Sequence, residues 1–362
     1  MASGLEMVLR NGLTVSRYLY CDKSAAARQV AKYRLEALTA QFPNQLSREA
    51  WQDAFSSTPQ DVFQIERREL ISAGALGHDQ QWIVIGGFEC QDLSSAGKGL
   101  GFTGSRSVSF FPLLHIIGEL QDLQRHQPPI YIIENTAMLE GRTPTPHVRD
   151  AYFKICQALG EPVLVDAARF GSYAHRLRNY WTNLTEAGVL QAALDSADRD
   201  PAIDIRTILP PHLTTQECTF VQKAPWYKVN RIGQPSQVLP TLVATKNSFA
   251  FRDGGAGMLV DRTLQALVDV PVSVREMALG YQEHATASPD VTMLDRHRII
   301  GSAFDANAMQ CLWAIAIAVS KSSPVRLVSA AAGLRSGRNK PPASTTALGP
   351  ASDKADYGTE LE

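Results

Sequence analysis

The order of apolar runs along the chain predicts an α/β fold, a doubly wound sheet covered by helices, with a small irregular lobe inserted late. Two patterns carry this. From the start to about residue 185, short β-like runs alternate with helical stretches, the pattern of parallel-rich sheets with helices on both faces. From about 186 to 270 that alternation gives way to prolines, glycines and short polar stretches, before helical periodicity returns.

Taken in order, Tyr18-Leu19-Tyr20-Cys21 reads as a strand ending at Asp22, and Ala25 to Ala40 as a helix. Trp82-Ile83-Val84-Ile85 is the second strand and opens into Gly86-Gly87. Ser107 to Arg125 reads as a helix, with Pro112 acceptable in its first turn. Ile130-Tyr131-Ile132-Ile133 is a strand running into Glu134-Asn135, and His147 to Leu159 a helix stopped by Gly160. Val163-Leu164-Val165 and Tyr180-Trp181-Thr182 complete the alternation. Asp253-Gly254-Gly255 marks a turn within the lobe. Ser273 and Glu276 have capping-box spacing ahead of a helix ending at Gly280, and Ala306 to Val319 is an apolar helix. The expected organisation is a core over 1–185, a recognition lobe over 186–270, returning helices over 271–320, and a Ser/Pro/Gly/Ala-rich disordered tail over 321–362.

Composition narrows function without naming it. A formal net charge of −1 over 362 residues gives no global attraction to nucleic acid, whose binders commonly have pI above ~9. Any such surface is therefore local, as at Arg169, Arg176 and Arg178, or Arg296, His297 and Arg298. No apolar run approaches the ~20 residues of a membrane span, and no secretory signal is evident. Five scattered cysteines without CxxC or Cys/His spacing argue for free thiols in a reducing compartment and against a metal site.

Chemistry concentrates at strand ends, where open α/β sheets bind ligands. Cys90 follows the glycines after Ile85. Asp22, Asp61 and Glu134 are read at the ends of three further strands, and His175-Arg176-Leu177-Arg178 precedes the Tyr180 strand. Each alone has a plain structural explanation: packing for Cys90, a helix cap for Asp22, a solvated strand face for the arginines. Together they gather a thiol, carboxyl groups and two guanidinium groups at one sheet edge.

In this order the residues resemble the C5-cytosine DNA methyltransferase family, most closely its eukaryotic de novo type. The stretch from Gly86 through Gly104-Ser105-Arg106-Ser107 to Phe110-Phe111 resembles the family's catalytic loop and following helix. Ile133-Glu134-Asn135 resembles its Glu-Asn motif. Asp166 and Tyr173 to Asn183 resemble its arginine motif, with Ala174-His175 as in the de novo variant. Arg275-Glu276 to Gly280, and Arg296 to Phe304, resemble its closing motifs.

The resemblance implies an S-adenosyl-L-methionine-dependent methyltransferase fold acting on double-stranded DNA. Its catalytic set is Cys90, Glu134, Arg176 and Arg178. Arg178 meets the cytosine O2 side, and Arg176 supports the catalytic loop. It assigns Gly4, Leu5, Asp22, Asp61, Ser302 and Phe304 to the cofactor. It also implies association through catalytic domains as homo- or hetero-oligomers, no membrane partner, and an intracellular protein, nuclear if eukaryotic.

Three departures accompany it. Ser3-Gly4-Leu5-Glu6 reads as the tail of a Phe-x-Gly-x-Gly cofactor loop whose strand is missing, so an N-terminal truncation is expected. Glu89 stands where the family has proline, and Thr136 where valine is common. The missing cofactor loop favours one rival, an inactive DNA-binding or regulatory relative; a second rival is a cytosine C5 methyltransferase acting on RNA.

Overall fold

A computed structural model describes residues 2–77, 80–94, 97–140, 143–197, 203–216, 238–244, 249–252, 254–255 and 257–322. Its centre is a four-stranded sheet of β1 (Ile83–Gly87), β2 (Ile130–Thr136), β3 (Val163–Asp166) and β4 (Leu177–Thr182), in the order β1-β2-β4-β3. β1 and β2 run parallel, and β4 is antiparallel to both its neighbours.

Helices cover both faces of this sheet. On one face α1 (Ser3–Arg10) and α9 (Ala306–Ser322) pack with α6 (Ala187–Ser196). Met7, Val8, Leu190, Leu194, Met309, Leu312 and Trp313 there meet Ile132, Val163, Val165 and Tyr180. The other face carries α4 (Phe110–Leu123) and α5 (Pro146–Leu159), whose Phe110, Leu113, Ile117, Val148 and Ile155 meet Tyr131, Ile133 and Trp181. Ile132 and Ile133 thus enter opposite cores, the period-two alternation of a strand buried on both sides. Burial in two layers explains why β2 is nearly continuously apolar until Glu134.

The remaining helices flank this core. α2 (Ala25–Gln41) starts at Ser24, whose hydroxyl accepts from the Ala27 amide, and α3 (Arg67–Ser72) packs on α4. α7 (Val272–Ala278) and α8 (Met293–Ser302) pack together beside α2. A second, antiparallel sheet, β5 (Leu213–Thr215), β6 (Leu259–Asp261) and β7 (Ala266–Val268), forms the lobe around Ile205, Leu239, Leu242 and Phe251. By length and composition Met293–Lys321, which is α8 and α9 taken together, is apolar enough to cross a membrane. In the fold α9 is a core helix, lying on α1 and α6.

Several expectations need correcting. Tyr18–Cys21 is not a strand. The Val15 amide donates to the Gln45 carbonyl and the Tyr18 amide to Ala50, so this segment pairs loosely with 45–50 instead of the sheet. Asp61 closes no strand; it caps the 3-10 turn Val62–Gln64. The Ser273/Glu276 capping box does not form, because α7 starts at Val272 behind Pro271 and Glu276 is buried elsewhere. There Oε1 of Glu276 accepts from the Thr286 amide and from Arg296. Residues 187–196, expected in the lobe, form α6 on the core. Residues 323–362, and Asp253 of the expected turn, lie outside the described residues.

Candidate active site

The carboxyl end of β1 and β2 gathers the polar residues. Glu134 stands directly across from Gly87 on one side and Tyr180 on the other. Opposed residues share a sheet face, and Arg178, two positions from Tyr180, shares that face too. Its Nε lies 2.9 Å from Glu134 Oε1, and the Nε of Arg176 lies 4.0 Å away. Gly87 has no side chain to compete for this space: a Cβ there would lie 3.5 Å from Glu134 Oε2 and 3.7 Å from the Phe304 ring.

Asn135 points to the opposite face and serves the adjoining loop. Its side-chain amide donates to the Phe88 carbonyl at 2.8 Å, anchoring the backbone two residues before Cys90. Phe88 itself packs against Phe110 and Trp181. The Cys90 carbonyl then accepts from the Leu93 and Ser94 amides, which turns the chain. Farther along, buried Asp92 accepts from the Arg106 amide, and Ser107 Oγ donates to the Gly101 carbonyl at 2.5 Å. At Gly104 a Cβ would overlap the Asp92 carboxylate, so glycine is required for that contact.

Burial pushes the Cys90 thiol up, the Arg178 guanidinium pulls it back down, and the Glu134 carboxylate raises it again. Arg176 adds a weaker lowering influence. The thiol thus lies within electrostatic reach of the carboxylate and both arginines. Glu89 is exposed, with its amide donating to Ser109 Oγ; it is the chain neighbour of the half-buried Cys90.

The arginine strand is held from behind. Asp166 Oδ2 is 2.8 Å from His175 Nδ1, and its Oδ1 accepts from the Arg176 amide at 3.0 Å. Arg176 is buried and donates from Nη1 to the Leu242 and Gly301 carbonyls, at 3.3 and 3.4 Å. Burial depresses its pKa, with Arg178 adding repulsion and Glu134 opposing it.

Of the residues expected to hold the cofactor, Gly4 and Phe304 lie against β1. Gly4 packs so closely on β1 that a Cβ would meet Ile85 Cδ1 at 2.7 Å, and Leu5 is core. Asp22 Oδ1 accepts from the Ser24 amide, and Asp61 pairs with Lys23 Nζ at 3.0 Å. Both carboxylates raise the Cys21 thiol, which burial has already lifted, to about 11. Asp61 and Lys23 line a cavity of about 750 Å³ with Phe55, Thr58 and Gln64. Ser302 is exposed at the end of α8, and Phe304 is half-buried beside Gly87.

Sequence reading missed the ties between these parts. Tyr281 Oη donates to the Phe304 carbonyl and bonds Ser3 Oγ, both at 2.6 Å. Buried Arg34 pairs with Glu6 at 2.7 Å and donates to Gln282 Oε1. The Glu6/Arg10 spacing is visible in sequence; the partners from residues 34 and 281 are not.

The model of the family described as C-5 cytosine-specific DNA methylase matches residues 45–197, the stretch holding Cys90, Glu134, Arg176 and Arg178. Over those residues the chain is similar to the C-5 cytosine-specific DNA methylases. Over 151 residues the chain is 30% identical to type II methyltransferase M.NlaIV of Neisseria lactamica, covering 39% of this chain and 33% of that protein. It is 31% identical over 156 residues to M.NgoBV of Neisseria gonorrhoeae, with the same two coverages. The matched part thus spans about a third of these relatives. They are bacterial proteins and lend no support to a nuclear location.

Among solved structures, a Spodoptera frugiperda DNMT2 mutant aligns with TM-score 0.51 at 15% identity, covering 86% of this chain and 96% of that one. Entamoeba histolytica methyltransferase EhMeth aligns with TM-score 0.51 at 10% identity, covering 87% and 95%. At such identities the likeness is one of fold, and it agrees with a Rossmann-like methyltransferase architecture.

Proposed function

We propose that this chain transfers a methyl group from S-adenosyl-L-methionine to C5 of cytosine in double-stranded DNA, through a covalent adduct on Cys90. The observation that carries the reading is the cluster at the ends of two adjacent parallel strands, in which Glu134 and Arg178 lie 2.9 Å apart and both act on the Cys90 thiol. A thiol, a carboxyl group and a guanidinium around one space suit an extruded pyrimidine, because a duplex base must leave the stack before chemistry.

Cys90, once ionised, adds its sulfur to C6 of the ring. Thiolate is a strong nucleophile and also a competent leaving group. Glu134 holds the N3/N4 edge and delivers a proton to N3, neutralising the charge that attack pushes into the ring. Arg178, on the same sheet face, presents its guanidinium to O2. Arg176, held by the Leu242 and Gly301 carbonyls, keeps positive charge beside Glu134. Once C5 carries the methyl group, the C5 proton leaves to water, N3 returns its proton to Glu134, and re-formation of the C5–C6 double bond expels the Cys90 thiolate.

An open cavity lined by Asp61 and by Lys23, the neighbour of Asp22 in sequence, suits the nucleoside end of S-adenosyl-L-methionine, with Asp22 toward the ribose and Asp61 toward the adenine amino group. The family resemblance assigns Gly4, Leu5, Ser302 and Phe304 to the rest of the cofactor. When bound there, the sulfonium supplies an electrophilic methyl group. The Asp61–Lys23 pair must open for Asp61 to meet the adenine.

Incubation with labelled cofactor and duplex carrying 5-fluorocytosine tests the reading. A denaturation-stable adduct is expected for the native protein and none for Cys90→Ala. Absence of any adduct with the native protein, alongside duplex binding unaltered by Cys90→Ala, overturns it in favour of an inactive DNA-binding relative. Adduct formation on RNA alone overturns the choice of DNA.

A further inference from the structure

Residues 238–244 form a strap linking the lobe to the arginine strand. On one side Leu239 bridges the backbone of Ala174, with the His175 amide donating to the Leu239 carbonyl and the Leu239 amide to Tyr173, both at 2.8 Å. Three residues on, the Leu242 carbonyl takes the Arg176 guanidinium. The strap then crosses the last turn of α8 at Gly301. A Cβ on Gly301 would overlap the backbone at Val243 and Ala244, coming to 2.5 Å from Ala244 Cα. Backbone cannot swing aside as a long side chain can, so only glycine admits this crossing. The Gly301 carbonyl, in the last turn of α8 where carbonyls lack helical partners, is the second acceptor for Arg176.

We propose that Gly301 is a positioning residue: by admitting the 238–244 strap against α8 it fixes Arg176, and through Arg176 the carboxylate of Glu134. Arg176 is buried with its Nε 4.0 Å from Glu134 Oε1 and, among the described residues, no side-chain carboxylate hydrogen-bonded to it. Its place is therefore set by the two carbonyls, one on the strap and one on Gly301 itself. A side chain at 301 leaves the helical carbonyl in place and moves the other, so the guanidinium follows one acceptor and loses its fixed distance to Glu134. The catalytic consequence rests on the cytosine methyltransferase reading; the mechanical linkage does not.

Gly301→Ala in the full chain tests this, with Gly118→Ala as control. Both replace a glycine within a helix and gain helix propensity, but a Cβ at 118 in α4 meets nothing. In the protein without DNA, amide hydrogen exchange at His175 and Leu239 is expected to quicken at least about ten-fold in Gly301→Ala, with β1–β2 amides unchanged. In single-turnover methyl transfer to a cytosine-containing duplex, the rate is expected to fall by roughly ten- to a hundred-fold, with the duplex Kd within about two-fold of native. Gly118→Ala should match the native protein in both.

Arg176→Lys supplies a second arm. If Gly301 acts through Arg176, the double variant is no slower than Arg176→Lys alone, whereas a general packing defect multiplies the two losses. Native exchange at His175 and Leu239 in Gly301→Ala, or multiplicative losses in the double variant, overturns the proposal. A native protein that exchanges as expected yet transfers no methyl group overturns the function reading and leaves the linkage standing.

Discussion

Asp305 offers a stability prediction that can be worked through from its surroundings. Its Oδ1 accepts from the Ala308 amide and from Ser172 Oγ at 2.9 and 2.7 Å, capping α9 next to Phe304, while Oδ2 is buried without a hydrogen-bond partner. Burial lifts its pKa from the ordinary 3.8 to about 6, against the lowering effects of those hydrogen bonds and of Arg176. Between those two values the folded chain binds more protons than the unfolded chain, so stability falls as pH rises through the window. Above pH 6 the folded state carries the full cost of the buried charge, about two pH units at ~1.4 kcal/mol each, or roughly 3 kcal/mol. Asp305→Asn keeps an oxygen for the cap, and Asn caps about as well as Asp. Urea unfolding at pH 4.5 and pH 8 should therefore show the variant more stable than native by only about 1 kcal/mol at the lower pH. At the higher pH it should be more stable by about 2–3 kcal/mol, less whatever Arg176 loses in counter-charge. A stability difference between the two proteins that does not change across this range would refute the assignment of the cost to Asp305.

Other consequences are simpler. Arg34→Ala strands Glu6 with only Arg10 as a partner and should cost about 3 kcal/mol in unfolding free energy, whereas Glu6→Leu combined with Arg34→Met should recover most of it. His175→Ala removes the hydrogen bond to Asp166 and should lower the rate of methyl transfer about ten-fold or more while changing duplex affinity little. His175→Asn, whose amide can still donate to Asp166, should restore much of that rate. Equal rates for the two variants would count against the positioning role.

The sequence was most legible where local chemistry and sheet periodicity agree. Glu134-Asn135 closes an apolar run, and the alternation of a strand sends one side chain to the site and the other to the loop before Cys90. Helices α5 and α9 were readable to within a few residues because Gly160 stops one and a long apolar run defines the other. Tyr18–Cys21 misled because its aromatic, β-rich composition fits a strand, yet its backbone hydrogen bonds go to residues 45–50. Composition does not identify a strand's partner. Glu276 misled for the reverse reason: the capping spacing was present, but Arg296, twenty residues on, claimed the carboxylate. The role of Gly301 was hidden because a glycine's neighbours are set by a crossing between distant segments.

The same cluster yields a test that needs neither DNA nor cofactor. Arg178 holds the Cys90 thiol down and Glu134 holds it up, so neutralising each residue should move thiol reactivity in opposite directions. Arg178→Gln removes the larger lowering influence, leaves burial and Glu134 unopposed except by Arg176, and should slow alkylation of Cys90 by iodoacetamide at pH 7.5. Glu134→Gln removes the nearby negative charge and should quicken it. A shift of roughly half a pH unit corresponds to about a three-fold change in thiolate, and hence in rate, below the pKa. Cys21, Cys156 and Cys311, each raised by burial to about 11, are slow internal references when modification is followed by peptide mass. A general loosening of the fold would speed alkylation of Cys90 and of these references together in both variants. Opposite signs at Cys90 with unchanged references can arise only if the arginine and the carboxylate act on the thiol electrostatically from where they stand, and two changes of the same sign would dismantle the cluster on which the proposed chemistry depends.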